Sequence, residues 1–413
     1  MKTNFVLFLV LIISTSTLKA FENTSIQNFD VKPGNSAAVN KINLQKAIDW
    51  ASDRGAALFV EPTDEPYYID GGIILKKNVS LIGVHGPTHR GTSHPTKKQP
   101  VGSVFAITDK ENAFITVELG TQIKGIQFWY PEQTIKDPEK IIPYKATIKV
   151  SQTSRTQGVY LSCLTFYGEY LAFDFNATRE NACELMTFEH CYGYPLSGEF
   201  IRMDYCYDVP RILHCHVNPA AQRYIGGQFS RAVVDAVIAK KTYAYTINHT
   251  DNAQIIDLFT FGTYGGIHLG PESYGQLTNF NFDCVAVGIL KQGNNTKNRN
   301  WQIAQGSIIA NTGEKVENIH PIIIEGMGHT SLSNVEAFSG GNGALTTVPE
   351  NSSWDFLLVR GNSKLTVSVW GSRMRNYISD SPVTIENDQA IIYMSGCFDK
   401  EEKLYNKIFE QAE

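Results

Sequence analysis

Three runs bracket the part of the chain that decides the fold: Phe29-Asp30-Val31-Lys32-Pro33-Gly34, Leu44-Gln45-Lys46-Ala47-Ile48-Asp49-Trp50-Ala51 and Val79-Ser80-Leu81-Ile82-Gly83-Val84. In the middle run Leu44, Ala47, Ile48 and Ala51 recur at i, i+3, i+4 and i+7, the spacing of one helical face. Asn43 stands where an N-cap would accept the first free amides, and Gly55 where a left-handed residue would close the helix. Short apolar runs follow: Leu58-Phe59-Val60, Tyr67-Tyr68, Ile73-Ile74-Leu75 and Val79–Gly83. One helix ahead of a succession of short strands is the pattern of a cap over stacked coils. The helix covers a sheet edge that would otherwise invite pairing.

Beyond residue 120 a short signature recurs: apolar, two residues, apolar, one residue, apolar or small. It reads Ile123…Ile126…Phe128, Leu161…Leu164…Phe166, Leu185…Phe188…His190, Ile212…Cys215…Val217 and Val234…Val237…Ala239. It continues as Ile256…Phe259…Phe261 and Leu277…Phe280…Phe282, then less regularly as Trp301…Ala304…Gly306, Leu332…Val335…Ala337, Leu365…Ser368…Trp370 and Ile392…Ser395…Cys397. Between residues 185 and 277 the copies lie about 21–27 residues apart, the length of a solenoid coil. The third position is Gly125, Asn279 or Asn334 in several copies, residues that tolerate a left-handed corner. Gly168–Phe175 also aligns with Gly198–Tyr205, which predicts equivalent places for Asp174 and Asp204 on two coils. In the tail Lys400–Glu413, Leu404, Ile408 and Phe409 share a helical face. The expectation is an all-β, single-stranded, right-handed parallel β-helix with an N-terminal capping helix and a short C-terminal helix. It forms one domain over residues 21–413, with the cap and first coils in 21–84.

Met1–Ala20 carries Lys2, the apolar run Phe5–Ile13 and a small, polar end, the pattern of a signal peptide too short to span a bilayer. No later run approaches membrane-spanning length, so a secreted or periplasmic protein is expected. The net charge of -5 becomes -7 once the two leader lysines are removed, which argues against nucleic acid and anionic membrane as main partners. Seven cysteines, none in a CxxC pair, leave at least one thiol unpaired. A zinc site from Cys206, His214, Cys215 and His216 is disfavoured, because adjacent residues on a strand face opposite ways.

Phe29-Asp30-Val31, the Leu44–Ala51 helix, Val60-Glu61-Pro62 with Tyr67-Tyr68-Ile69, and Ile74-Leu75 with Val79–Gly83 together resemble the N-terminal region of the pectate-lyase superfamily. That superfamily comprises secreted right-handed β-helix proteins, polygalacturonase-like glycosidases among them. The resemblance covers about the first fifth of the mature chain and speaks to the fold more than to the chemistry. An acidic, glycine-rich run commonly follows the first strand there; here Lys32-Pro33-Gly34-Asn35-Ser36 takes its place.

Outward residues of a solenoid form ladders along a long face that suits an extended polymer. Reading between the last two signature positions gives Gln127, Thr165, Glu189, His216, Ile238, Thr260, Asn281, Gln305 and Glu336. Glu189 and His216 are then neighbours, since coils stack about 4.8 Å apart. The densest polar cluster surrounds them, and the candidate catalytic residues are Glu189, Asp204, Asp208, Arg211, His214 and His216. Arg223, Arg231, Lys241, Tyr243 and Tyr245 are candidate substrate contacts, because cations pair with sugar carboxylates and rings stack on sugar faces. In a hydrolase one carboxylic acid protonates the leaving oxygen while a carboxylate attacks or activates water. In a β-eliminating lyase His216 or a Lys or Arg side chain acting as base removes a proton, Arg211 stabilises the charge, and Asp174 with Asp204 would hold Ca²⁺. The expected function is a secreted polysaccharide-degrading glycoside hydrolase using paired carboxylates, with no cofactor. The alternatives are a lyase acting on uronate-containing glycans and a non-catalytic carbohydrate-binding or adhesive solenoid.

Overall fold

The computed structural model describes residues 24–339 apart from 89–92, 224, 293–299, 313–315, 317–318 and 325–329, and beyond 339 only strand segments. The leader-like residues 1–20 lie outside this range. The chain winds as a parallel β-helix. A 12-stranded sheet takes one strand per coil, including Ile73–Leu75, Ile115–Val117, Ile148–Val150, Phe173–Asn176, Ile201–Asp204, Tyr243–Ile247 and Gly265–Leu269. In three coils a short strand follows on a second side: Thr156–Gln157, Cys183–Glu184 and Cys206–Tyr207. The chain then enters a large sheet through strands such as Tyr160–Tyr167, Thr187–Gly193 and Gly275–Val285. Coil-to-coil pairing is parallel, and like positions stack: Leu161 on Phe188, Phe188 on Ile212, Ile212 on Ile255, Ile255 on Leu277.

Alternation explains the interior. Within Phe173–Asn176 the residues Phe173 and Phe175 are fully buried and Asp174 points out, the period of two that a strand imposes. Phe166, Phe173, Phe188 and Phe200 form a continuous ring cluster, with centroids 5.0–5.7 Å apart in the pairs that Phe173 makes with the other three and that Phe166 makes with Phe200. Between residues 122 and 339 the large sheet bends in each described coil at one left-handed residue. These corners are Gly125, Cys163, His190, His214, Asp257, Asn279, Gln305 and Asn334, with φ between 52° and 67°.

The corners confirm Gly125, Asn279 and Asn334 but shift three copies of the signature. The true sets are Phe188…Cys191…Gly193, Ile255…Leu258…Thr260 and Ile303…Gly306…Ile308, as the corners His190, Asp257 and Gln305 require. Val234…Val237…Ala239 is not a coil position at all. Residues Arg231–Ile238 form helix α2 in a loop insertion, capped by Ser230 and burying Val233, Val234, Val237 and Ile238. A spacing of three apolar steps fits either element, so the period alone did not separate them.

The capping helix α1 spans Ala37–Arg54 and closes at Gly55 (φ 64°), whose amide bonds Ala51 O. It starts earlier than expected. Ser36, not Asn43, is the N-cap, its Oγ accepting from the Val39 amide at 3.4 Å. Asn43 lies within the helix and donates to Asp30 O. The early turns were hidden because the buried face carries Asn40, which bonds Lys32 N, Lys32 O and Tyr68 O in place of apolar packing. Ser36→Ala is expected to cost about 0.5–1 kcal/mol, the lower part of the capping range given the long bond, measured by urea denaturation.

The expected C-terminal helix over 400–413 is corrected. Leu404–Tyr405 and Ile408–Phe409 are strands, pairing antiparallel with Cys397–Phe398 and Ile392–Tyr393. Leu404, Ile408 and Phe409 fit a helical face equally well, but the open sheet edge offers backbone partners a lone helix would leave unpaired. Cys163, Cys183, Cys191, Cys206, Cys215 and Cys284 are free thiols, four of them packed as small apolar groups in the interior. Among the described residues no helix is long and apolar enough to cross a membrane.

Candidate functional site

The expected catalytic cluster is dispersed over different sides of the coil. Glu189 lies before the corner of its strand, aligned with Ser162 and Leu213, and accepts a hydrogen bond from the Tyr160 hydroxyl. His216 lies beyond the corner, aligned with Tyr192 and Phe259, so Glu189 and His216 are not ladder neighbours. The slipped signature caused this, since a shift of register carries every side chain to another place. His214 sits at the corner, its Nδ1 2.8 Å from Asp257 Oδ2 and its ring stacked 4.7 Å from His190. His216 stacks on Phe259 at 4.2 Å.

Asp204 ends a strand of the 12-stranded sheet, one side of the coil away from His214 and His216. Its Oδ1 receives the Tyr205 amide at 2.8 Å and lies 2.7 Å from His249 Nδ1. Asp208 is an exposed left-handed turn residue between the second side and the large sheet. Arg211 donates to Val209 O and aligns with Thr187 and Gln254.

Of the expected substrate contacts, Tyr245 is fully buried in the interior and donates to Phe259 O at 3.2 Å. Arg231, on helix α2, is tied to Asp235 of the same helix and to Thr312 O of a later coil. Arg223 and Lys241 are exposed loop residues. Tyr243 alone of the five shares the outer face of the 12-stranded sheet with His268, at 5.4 Å between ring centroids.

That face holds the better site. Its outward residues form a ladder, Lys149, Asp174, Arg202, Thr246 and His268, each aligned with the next. Loop residues from 143–146, 170–171 and 197–199 rise beside the ladder and enclose a cleft of about 520 Å³. Its ionisable lining is Glu111, Lys145, Lys149, Asp174, Glu199 and Arg202, with Tyr144 and Tyr170 in the wall. Arg202 is the organiser. Its Nε and Nη2 donate to both Asp174 oxygens at 2.9 and 2.8 Å, and Nη1 lies 3.6 Å from Glu199 Oε2.

The two acids differ in surroundings. Asp174 is clamped in a fork that only a planar guanidinium provides. Glu199 meets the guanidinium only at its third nitrogen, and burial pushes its carboxyl above the ordinary range. Arg202 opposes that rise and the charge of Asp174 adds to it. Arg202 is itself raised, chiefly by its bonds to Asp174. Tyr144 is pushed up to about 12 by burial, and its hydroxyl has no hydrogen-bond partner. Lys240 lies 5.5 Å above the Tyr170 ring at the rim.

Glu199, Arg202, Lys145 and Lys149 did not stand out in the sequence as site residues, and Asp174 entered only as a Ca²⁺ ligand. Ungapped alignment of Gly168–Phe175 with Gly198–Tyr205 pairs Asp174 with Asp204. In the structure Asp174 aligns with Arg202 and Asn176 with Asp204. The loop after Gly168 is two residues longer than the loop after Gly198, so the expected Asp174–Asp204 pair for Ca²⁺ does not form. Among the described residues no three His, Cys, Asp or Glu side chains converge as a metal site.

The fold and cleft define a parallel β-helix protein with an open, charged trough along one sheet. No protein-family model matches the sequence, and no curated protein matches it. Solved structures do resemble it. The N-terminal fragment of bacteriophage Phi29 gene product 12 is 10% identical with a TM-score of 0.52, the match covering 94% of this chain and 74% of that one. The DFA-IIIase of Arthrobacter chlorophenolicus A6, solved with DFA-III, is 11% identical with a TM-score of 0.49, covering 95% and 91%. The tailspike protein of E. coli bacteriophage HK620, solved with a pentasaccharide, is 10% identical with a TM-score of 0.48, covering 91% and 75%. At these identities the likeness is one of fold.

Proposed function

We propose that the protein is a glycan-cleaving enzyme, a glycoside hydrolase that works from this cleft with Glu199 as proton donor and Asp174 as the partner carboxylate. The observation that carries the reading is the unequal pair on one guanidinium. Burial favours the protonated form of Glu199, while the Arg202 fork fixes both oxygens of Asp174, so the two carboxyl groups are set up for different tasks, as glycoside cleavage requires. The two carboxyl groups flank one guanidinium, Asp174 Oδ2 at 2.8 Å and Glu199 Oε2 at 3.6 Å from its nitrogens. Arg202 holds both Asp174 oxygens in place, and each keeps a lone pair with which to accept from an attacking water. The signal-peptide pattern of Met1–Ala20 supports action outside the cytoplasm.

Lys145 and Lys149 favour a second reading. They line the cleft and form no ion pair among the described residues, so they are available to hold a uronate carboxylate next to a proton-abstracting group. A panel of neutral and uronate-containing polysaccharides separates these readings. New reducing ends without absorbance from unsaturated uronates are expected for hydrolysis. Unsaturated ends would move the chemistry to β-elimination, and binding without new ends of either kind would leave a carbohydrate-binding solenoid.

A further inference from the structure

Below the cleft lies a carboxyl group that the proposed reaction does not use. Glu169 is fully buried, and among the described residues neither of its oxygens completes a hydrogen bond. The amides of Glu169 and Tyr194 approach the carboxyl without closing on it. It sits under the junction of two loops that wall the cleft. Leu196 donates to the Glu169 carbonyl and Ser197 to the Tyr170 carbonyl, each at 2.9 Å. Tyr170 follows Glu169 directly, and Glu199 lies two residues beyond Ser197, so both cleft residues hang on this junction.

There is no room to spare around it. A methyl group added at Gly193 would come within 2.3 Å of Glu169 Oε1 and 2.9 Å of the Phe200 ring. The titratable side chain facing Glu169 is Tyr130, whose hydroxyl bonds Thr147 and is kept protonated by burial. Tyr194, whose amide approaches the Glu169 carboxyl, is held protonated in the same way, its hydroxyl donating to Gly262 O. Among the described residues no cation acts on Glu169. An ionised carboxylate without a cation must gain water, and here water could enter only if the two loops part.

We propose that Glu169 is a positioning residue. Held as a neutral acid under the two loops, it keeps Tyr170 and Glu199 in place, and loss of its proton opens that wall of the cleft. The inference rests on the reading of the cleft as the working site, but it can be tested without turnover. Burial lifts this carboxyl from 4.5 to about 8. The sign follows from linkage: the folded state keeps a proton that the unfolded chain releases near 4.5. The stabilising contribution is therefore full below that pH and is lost by the time pH passes about 8. The loss amounts to a factor on the order of a thousand in the folding equilibrium.

The test compares wild type with Glu169→Gln, which keeps the shape and cannot ionise. Melting temperature is followed from pH 4.5 to 9, and amide hydrogen exchange at pH 7 and 9, corrected for intrinsic rates. The expected result is a fall in wild-type melting temperature up to about pH 8 that is largely absent in the variant. Wild type should also lose roughly tenfold or more of its protection at pH 9, confined to residues 168–172 and 194–200. Parallel melting curves for the two proteins, or unchanged loop protection in wild type at pH 9, would overturn the proposal. If the variant fails to fold, the wild-type exchange experiment decides alone. None of these readouts requires a glycan, so failure of the hydrolase reading leaves them intact. Binding of a cleaved glycan, once found, should weaken above pH 8 in wild type only.

Discussion

Glu199→Gln is expected to lower glycan turnover by about 100- to 10,000-fold, the contribution of a positioned general acid. The substitution keeps the size of the side chain and its place beside Arg202, but removes the proton that the leaving oxygen needs. The loss should fall on kcat with KM nearly unchanged, because glycan binding would rest on the rest of the cleft. Wild-type activity should decline as pH rises through the Glu199 pKa, which burial places above the ordinary 4.5, and the residual activity of the variant should lack that limb. Stability moves the opposite way. A carboxyl whose folded pKa is raised costs the folded state stability once pH exceeds its unfolded value, so the glutamine variant should melt no lower than wild type at neutral pH. A variant with full turnover would remove Glu199 from the acid role. A variant that is inactive because it unfolds would show in the melting curve.

Phe173→Ala is expected to destabilise the protein by about 3–5 kcal/mol in urea denaturation, the usual range for removing a buried phenylalanine. Its ring meets Phe166, Phe188 and Phe200 with centroids 5.0–5.5 Å away, drawing on the coils before and after its own. A coil contacts only its neighbours, so the damage should be local. It should also reach the cleft, since Asp174 is the next residue and takes its outward direction from the strand that Phe173 anchors. A loss below about 1 kcal/mol would mean that the surrounding rings collapse into the vacated space.

Much of the architecture could be read from residues alone, and the places where that reading failed share a cause. The left-handed corner was legible at Gly125, Asn279 and Asn334, where the residue type suits the backbone. It was invisible at Cys163 and Gln305, whose types carry no such signal, and was passed over at His190 and His214, although all four adopt the same φ as the corners stacked above and below them. Helix α2 was misread as a coil because Val234 and Val237 satisfy both periods. The tail was misread as a helix because Leu404, Ile408 and Phe409 satisfy a helical face, although a sheet edge was waiting for them. The cleft was missed for a subtler reason. Asp174 and Arg202 are 28 positions apart, and the two-residue difference between their preceding loops decides that they face each other.

The amino-acid order on its own determined that this chain would pile short strands into coils under a helical lid. It did so because inward alternation, breaker residues and the face of α1 are properties of a few neighbouring positions. Which outward side chains would meet was decided only by the folded coil. Loop length sets how far each coil slides past the last, and a slide of two residues, one full period of a strand, leaves the apolar pattern intact while exchanging every partner on the outer face. That is why Glu189 and His216 stand apart, and why Asp174, Glu199 and Arg202 stand together.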